Sequence, residues 1–198
     1  MERVTAVLAS RNPNKARELE RLLPGWRIRP LDADDYPAED GATYYENALT
    51  KARFGRSRAP ADAWAVGEDS GLEIAGLDGR PGVHSSRSAA GDEVGWALRE
   101  LEGIVGAGRR ARYVCELVAL SPGGDQVRGT GTLDGTIAAS PAGSGGFGFD
   151  PVFVPDGERR TVAELGDEWK ARNSHRAAAA RALLERLETG GARGRRRG

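Results

Sequence analysis

The sequence predicts a mixed α/β protein, with parallel and antiparallel strands in one sheet and helices against it. Three observations lead there. Apolar Val4–Ala9 runs into a polar turn that opens a helix, the strand-turn-helix step from which parallel sheets are built. Ala111–Leu120 and Gln126–Leu133 read as strands joined across Ser121-Pro122-Gly123-Gly124, a hairpin signal that brings antiparallel pairing. Between them lies Trp64-Ala65-Val66, read as a buried strand entering a turn at Gly67-Glu68-Asp69-Ser70-Gly71-Leu72.

Composition sets the outer limits. At 198 residues the chain is long enough to bury a core as one domain, and 39% hydrophobic with 29% charged residues fits a globular protein. No apolar run reaches a membrane span and no signal-peptide core opens the chain, so no membrane partner and a cytoplasmic location are expected. The one cysteine, Cys115, excludes a disulfide framework and fits a reducing compartment. Lys plus Arg number 29 and Asp plus Glu 29, but the balance is uneven. Without the four arginines of 190–198 the count is 25 basic against 29 acidic, a net of −4. Residues 1–189 are therefore read as a single domain with a mildly acidic body. Residues 190–198 are read as a basic, Gly/Arg-rich, disordered tail with no stable nucleic-acid partner.

The elements follow in order. Asn12 is a good helix N-cap and Pro13 suits the first helical position, with a helix to Leu23. Capping does not require Lys15, since a cation is mildly unfavourable at a helix start; with Ser10 and Asn12 it could hold an anion. A strand Trp26–Arg29 and an acidic loop, 32–40, precede Thr43-Tyr44-Tyr45-Glu46, a capping box starting a helix to Ala59. Glu68 and Asp69, adjacent at a strand end, must point to opposite faces and so do different jobs. Buried acids need a cation or a proton chemistry. Leu72–Ala75 continues as strand, 76–88 is a Gly/Pro loop, and Asp92 caps a helix to Glu102. Thr136–Ala139 extends the second hairpin strand past a bend at Asp134-Gly135.

Gly145-Gly146-Phe147-Gly148-Phe149-Asp150-Pro151 sets two aromatic rings beside a carboxylate. A nucleobase site needs that pair: a stacking face and an acceptor for a ring N–H. One of the two phenylalanines is expected to fold into the core instead. A capping box at Thr161, a short helix carrying Lys170, and a last helix capped by Ser174 complete the chain. His175 and Arg176 fall in that helix's first turn, where cations call for a compensating anion or acceptor.

Ser10-Arg11-Asn12-Pro13-Asn14-Lys15, Glu46-Asn47-Ala48, Gly67–Leu72, Gly79–Val83, Gly145–Pro151 and Ser174-His175-Arg176 occur in this order. Together they resemble the inosine triphosphate pyrophosphatase family, the Ham1 type, from about Val4 to Leu187. The resemblance implies an elongated twisted mixed sheet flanked by helices, with two lobes around a central nucleotide cleft. It also implies hydrolysis of dITP/ITP and XTP/dXTP to the monophosphate and pyrophosphate, and a homodimer. Mg²⁺ would be held by Asp69 with Glu39 or Glu68, and Asp69 would also deprotonate the attacking water. A one-residue slip in register would replace Glu39 by Asp40. Ser10, Arg11, Asn12, Pro13, Asn14, Lys15 and Ser70 would surround the phosphates, Arg11 standing where the family usually has glycine. Phe149 or Phe147, with Gly148, would stack on the base. Asp150 would accept from N1–H, while Lys170, His175 and Arg176 donate to the 6-carbonyl. Two other readings remain at this stage: a Maf-type pyrophosphatase with other base specificity, and a non-catalytic nucleic-acid binder using the arginine tail.

Overall fold

The computed structural model of the chain describes residues 3–88 and 91–194. It opens with β1 (Val4–Leu8), α1 (Pro13–Leu22) and β2 (Trp26–Pro30), then α2 (Tyr44–Arg56). The Asn12 side chain caps α1 by accepting from the Asn14 N–H, and Thr43 with Glu46 forms the capping box of α2. β3 (Trp64–Ile74) is followed by a 3₁₀ turn, β4 (Pro81–Gly82), α3 (Ser85–Ser88) and α4 (Glu93–Glu100), capped by Asp92. The hairpin β5 (Arg110–Leu120) and β6 (Gln126–Ile137), a short β7 (Phe153–Pro155), α5 (Val162–Asn173) and α6 (His175–Gly194) complete the order.

Among the described residues seven strands form one mixed sheet, in the order β2-β1-β3-β5-β6-β7, with β4 paired to β3 off that path. β1 is parallel to β2 and β3, as the strand-turn-helix step requires, whereas β4 and β7 are antiparallel to β3 and β6.

The chain divides into two compact units. The first comprises the chain up to Asp69, Cys115–Gly131 and the chain from Arg176. Its core is Leu8, Leu19, Leu23, Val66, Leu117 and Leu183, with Trp26 set edge-on to Trp64. The second comprises Ser70–Val114 and Thr132–His175, with Leu72, Ile74, Leu101, Ile137, Phe149 and Phe153 at its centre.

Four local expectations change. The predicted turn at Gly67–Leu72 is the middle of an unbroken eleven-residue strand. Glycine and acids read as a turn when water must solvate them, but here the strand is paired and the acids meet buried cations. The bend at Asp134-Gly135 is also absent. A Cβ at 135 would stand 2.7 Å from the Phe153 ring, so that glycine makes room for an aromatic neighbour. The 76–88 loop carries β4 and α3, and Ser85 Oγ ties it down by accepting from the Leu72 N–H and donating to the Gly82 carbonyl. Finally, α6 runs to Gly194, so helix covers the first residues of the expected tail; Arg195 to Gly198 lie outside the described residues.

Candidate active site

Two groups of buried polar side chains answer to the sequence expectations, one in each unit. In the first, β3 carries Glu68 and Asp69, which are 0% and 5% exposed. Strand alternation sends them to opposite faces, and their partners differ accordingly.

The Asp69 face is built by α2. Gly67 lets that helix lie directly on β3: a Cβ there would stand 1.9 Å from the Ala48 carbonyl oxygen. Asn47 and Lys51, one helical turn apart, are both buried on the strand side. Lys51 Nζ lies 2.7 Å from Asp69 Oδ1 and 2.6 Å from Glu39 Oε1, so two carboxylates converge on one ammonium. Asn47 Nδ2 donates to Asp69 Oδ2 at 3.1 Å. Burial pushes the Asp69 carboxyl above its ordinary acidity range, only partly opposed by Lys51. For Lys51 burial is the largest influence and works downward, yet Asp69, Glu39 and Glu68 together raise it.

The Glu68 face is the reverse. Lys15 Nζ stands 2.5 Å from Oε2 and Arg176 Nη2 2.9 Å from Oε1, with Cys115 Sγ at 3.5 Å. Arg176, 1% exposed, also pairs with Glu18. Burial alone would raise the Glu68 carboxyl, but Lys15, then Arg176 and Lys51, hold it well below the usual range. Burial and Glu68 push the Cys115 thiol up, away from thiolate chemistry.

Glu68, expected as a second metal carboxylate, is the centre of a buried ion-pair cluster with Lys15 and Arg176. Arg176, expected at the base, is held in that cluster by Glu68 and Glu18, the carboxylates a guanidinium this deeply buried requires.

The loop before α1 places its residues as an ordinary capped start. Asn12 N–H donates to Ser10 Oγ, Pro13 is the first helical residue, and Asn14 Oδ1 accepts from Arg17. The exposed Arg11 turns away to the Asp34 carbonyl and the Tyr36 ring. Of this loop, Lys15 is the residue that reaches the acid pair.

In the second unit the carboxylate is Asp150, 3% exposed. Its Oδ2 accepts from Lys170 Nζ and from the Phe147 N–H, both at 2.8 Å, and the Tyr113 hydroxyl is 3.4 Å from Oδ1. Lys170 Nζ also sits 4.2 Å above the Phe147 ring. His175 stacks on Tyr113, centroids 4.5 Å apart and planes within 7°. Phe149 is the ring that enters the core, edge-on to Trp96, which leaves half-buried Phe147 as the stacking candidate. Gly148 between them has φ +66°, the left-handed turn that separates their directions. Ser70, half-buried, continues β3 past Asp69.

Sequence reasoning missed Asn47 and Lys51 as functional groups. The signal was present: a polar residue and a cation spaced i, i+4 on the same helix face as Ala48 and Ala52. Among the described residues no three acidic, His or Cys side chains gather as a ready-made metal cage. Glu39 and Asp69 nevertheless present convergent oxygens, and one or two carboxylates completed by substrate phosphates are a usual Mg²⁺ shell. Exposed Asp40 takes no part in this convergence.

The model of the Ham1 family matches residues 6–186 of this chain. A dITP/XTP pyrophosphatase of Thermus thermophilus is 42% identical over 192 residues, 93% of this chain and 92% of its own length. One of Bdellovibrio bacteriovorus is 42% identical over 156 residues, 76% of this chain and 78% of its own. Among solved structures, the Staphylococcus aureus Ham1 protein superposes with a TM-score of 0.79 at 30% identity, covering 94% of this chain and 99% of that one. A Coxiella burnetii HAM1 protein gives 0.78 at 32% identity, covering 94% and 99%.

Proposed function

Because the chain belongs to the Ham1 family, we propose that it hydrolyses dITP/ITP and XTP/dXTP to the nucleoside monophosphate and pyrophosphate. The observation that carries the chemistry is the convergence of Asp69 and Glu39 on Lys51. A base must accept a proton from water, and a carboxylate made more basic by burial beside a fixed cation does so better than a solvated one. Water oxygen bonds to the α-phosphorus, the bridging α–β P–O bond breaks, and the water proton passes to Asp69. Lys51 and Lys15 offset the charge of the phosphates, Lys15 reaching them from the first turn of α1. Glu39 and Asp69 would hold Mg²⁺, which supplies a Lewis acid for the polyphosphate.

Base choice falls to the second unit. Asp150 accepts N1–H through Oδ1, whose Tyr113 contact is long, while Lys170 and His175 donate to the 6-carbonyl and Phe147 stacks. Hypoxanthine and xanthine present that edge, and adenine presents the opposite one. Sites built on buried polar pairs reject the wrong partner by roughly 10⁴–10⁵. ITP and XTP should therefore exceed ATP in kcat/KM by orders of magnitude, measured as pyrophosphate release over a panel of triphosphates. Asp150→Ala should shrink that ratio by weakening ITP. Comparable hydrolysis of ATP and ITP by the unaltered protein overturns the reading. A cytoplasmic homodimer completes the proposal, and a monomer mass by light scattering would remove the dimer.

A further inference from the structure

We propose that Asn47 is a positioning residue: its one carboxamide clamps the loop carrying Glu39 to the Asp69 carboxylate, keeping both acids aimed at Lys51. The inference rests on the hydrolase reading for its consequence, but on geometry alone for the clamp.

Asn47 is 2% exposed, and both ends of its amide are engaged. Oδ1 accepts from the Gly41 N–H at 2.8 Å, and Nδ2 donates to Asp69 Oδ2 at 3.1 Å. The two partners fix the amide's orientation, because a backbone N–H can only meet the oxygen and a carboxylate can only meet the nitrogen. Gly41 is pressed against the clamp: a Cβ there would lie 2.6 Å from Asn47 Oδ1 and 2.8 Å from Glu46 Cβ. Only Asp40 separates Gly41 from Glu39, so anchoring the Gly41 N–H restrains the carboxylate that shares Lys51 with Asp69. Without the amide, Lys51 alone would link the two acids. An ammonium on a four-carbon stem, a point charge with rotatable donors, sets distance but not direction.

Two substitutions separate the halves of the clamp. Asn47→Asp keeps an oxygen for Gly41 and loses the donor to Asp69, whereas Asn47→Ala loses both. Hydrogen exchange at the Gly41 amide should quicken about tenfold or more in Asn47→Ala and stay near the unaltered rate in Asn47→Asp, since protection requires the acceptor. In the same two proteins kcat for ITP should fall at least about tenfold with KM changed little, as for a group that orients without binding. Gly41→Ala, which keeps Asn47 and forces the loop away from it, should reproduce the exchange result if Asn47→Ala fails to fold. Unchanged Gly41 exchange in both Asn47→Ala and Gly41→Ala overturns the clamp. Faster exchange throughout the protein, with kcat falling only in step with melting temperature, also overturns it. Local exchange behaving as expected while the unaltered protein hydrolyses no triphosphate leaves the clamp standing and removes the hydrolase reading.

Discussion

Glu68 and Asp69 are consecutive residues of one buried strand, yet one becomes a strong acid and the other a weak one. Burial acts on both in the same direction, so the difference lies in what each face supplies. Glu68 meets Lys15 and Arg176, two cations directed mainly at it. Asp69 meets a neutral amide and a lysine shared with Glu39. Counter-charge per carboxylate therefore decides the outcome: two cations for Glu68 and Glu18 build structure, and one lysine for Asp69 and Glu39 leaves a group able to take a proton.

The comparison can be broken from either side. Asp69→Asn should have the largest effect, a loss in turnover of at least roughly 10²–10⁴ with ITP, the range expected of a general base. Its melting temperature should hold or rise, because the charge removed is one that burial disfavours. A fall in melting temperature as large as the fall in turnover would show that Asp69 belongs with Glu68 as a structural ion.

Arg176→Ala should affect stability first. Removing it leaves buried Glu68 with Lys15 as its ion-pair partner, a loss of up to about 3–5 kcal/mol, read by denaturant unfolding. Adding Glu68→Gln should recover part of that loss, since the buried carboxylate left with Lys15 alone is then neutral. No recovery would mean that Arg176 stabilises through packing alone.

Acid sharpens the contrast with opposite signs. Glu68 has a folded value below its ordinary 4.5, so its stabilisation is present above that value and lost as pH falls through the folded one. Asp69 has a folded value above its ordinary 3.8, so its stabilisation is present below 3.8 and lost as pH rises through the folded one. Glu68→Gln should thus flatten the loss of stability on strong acidification, and Asp69→Asn should not. Melting curves collected from neutral to acid pH on both variants check this.

The smallest effect is expected where neither face is touched. Deleting 190–198 should leave turnover and melting temperature nearly unchanged, because a Gly/Arg segment offers little apolar surface. A large drop in either would assign that end a docking partner.

What was legible in the sequence is what short-range chemistry controls. Asn12-Pro13, Thr43 with Glu46 and Thr161 with Glu164 announce helix starts, since a cap is completed within four residues. The hairpin turn at 121–125 and the opposed faces of Glu68 and Asp69 follow from equally local rules. The motif set identified the family, and it singled out Asp69 and Asp150 as candidates. The tertiary structure decided which charge met which. Arg176 and Glu68 are 108 residues apart, Asn47 and Asp69 22, and nothing local to either partner names the other. It also chose Phe149 over Phe147 for the core, and let an acid pair that reads as a turn stand inside a strand. A run of residues specifies its own backbone through sterics and nearby hydrogen bonds. The acidity of a buried carboxylate depends on the cations that other elements bring to it.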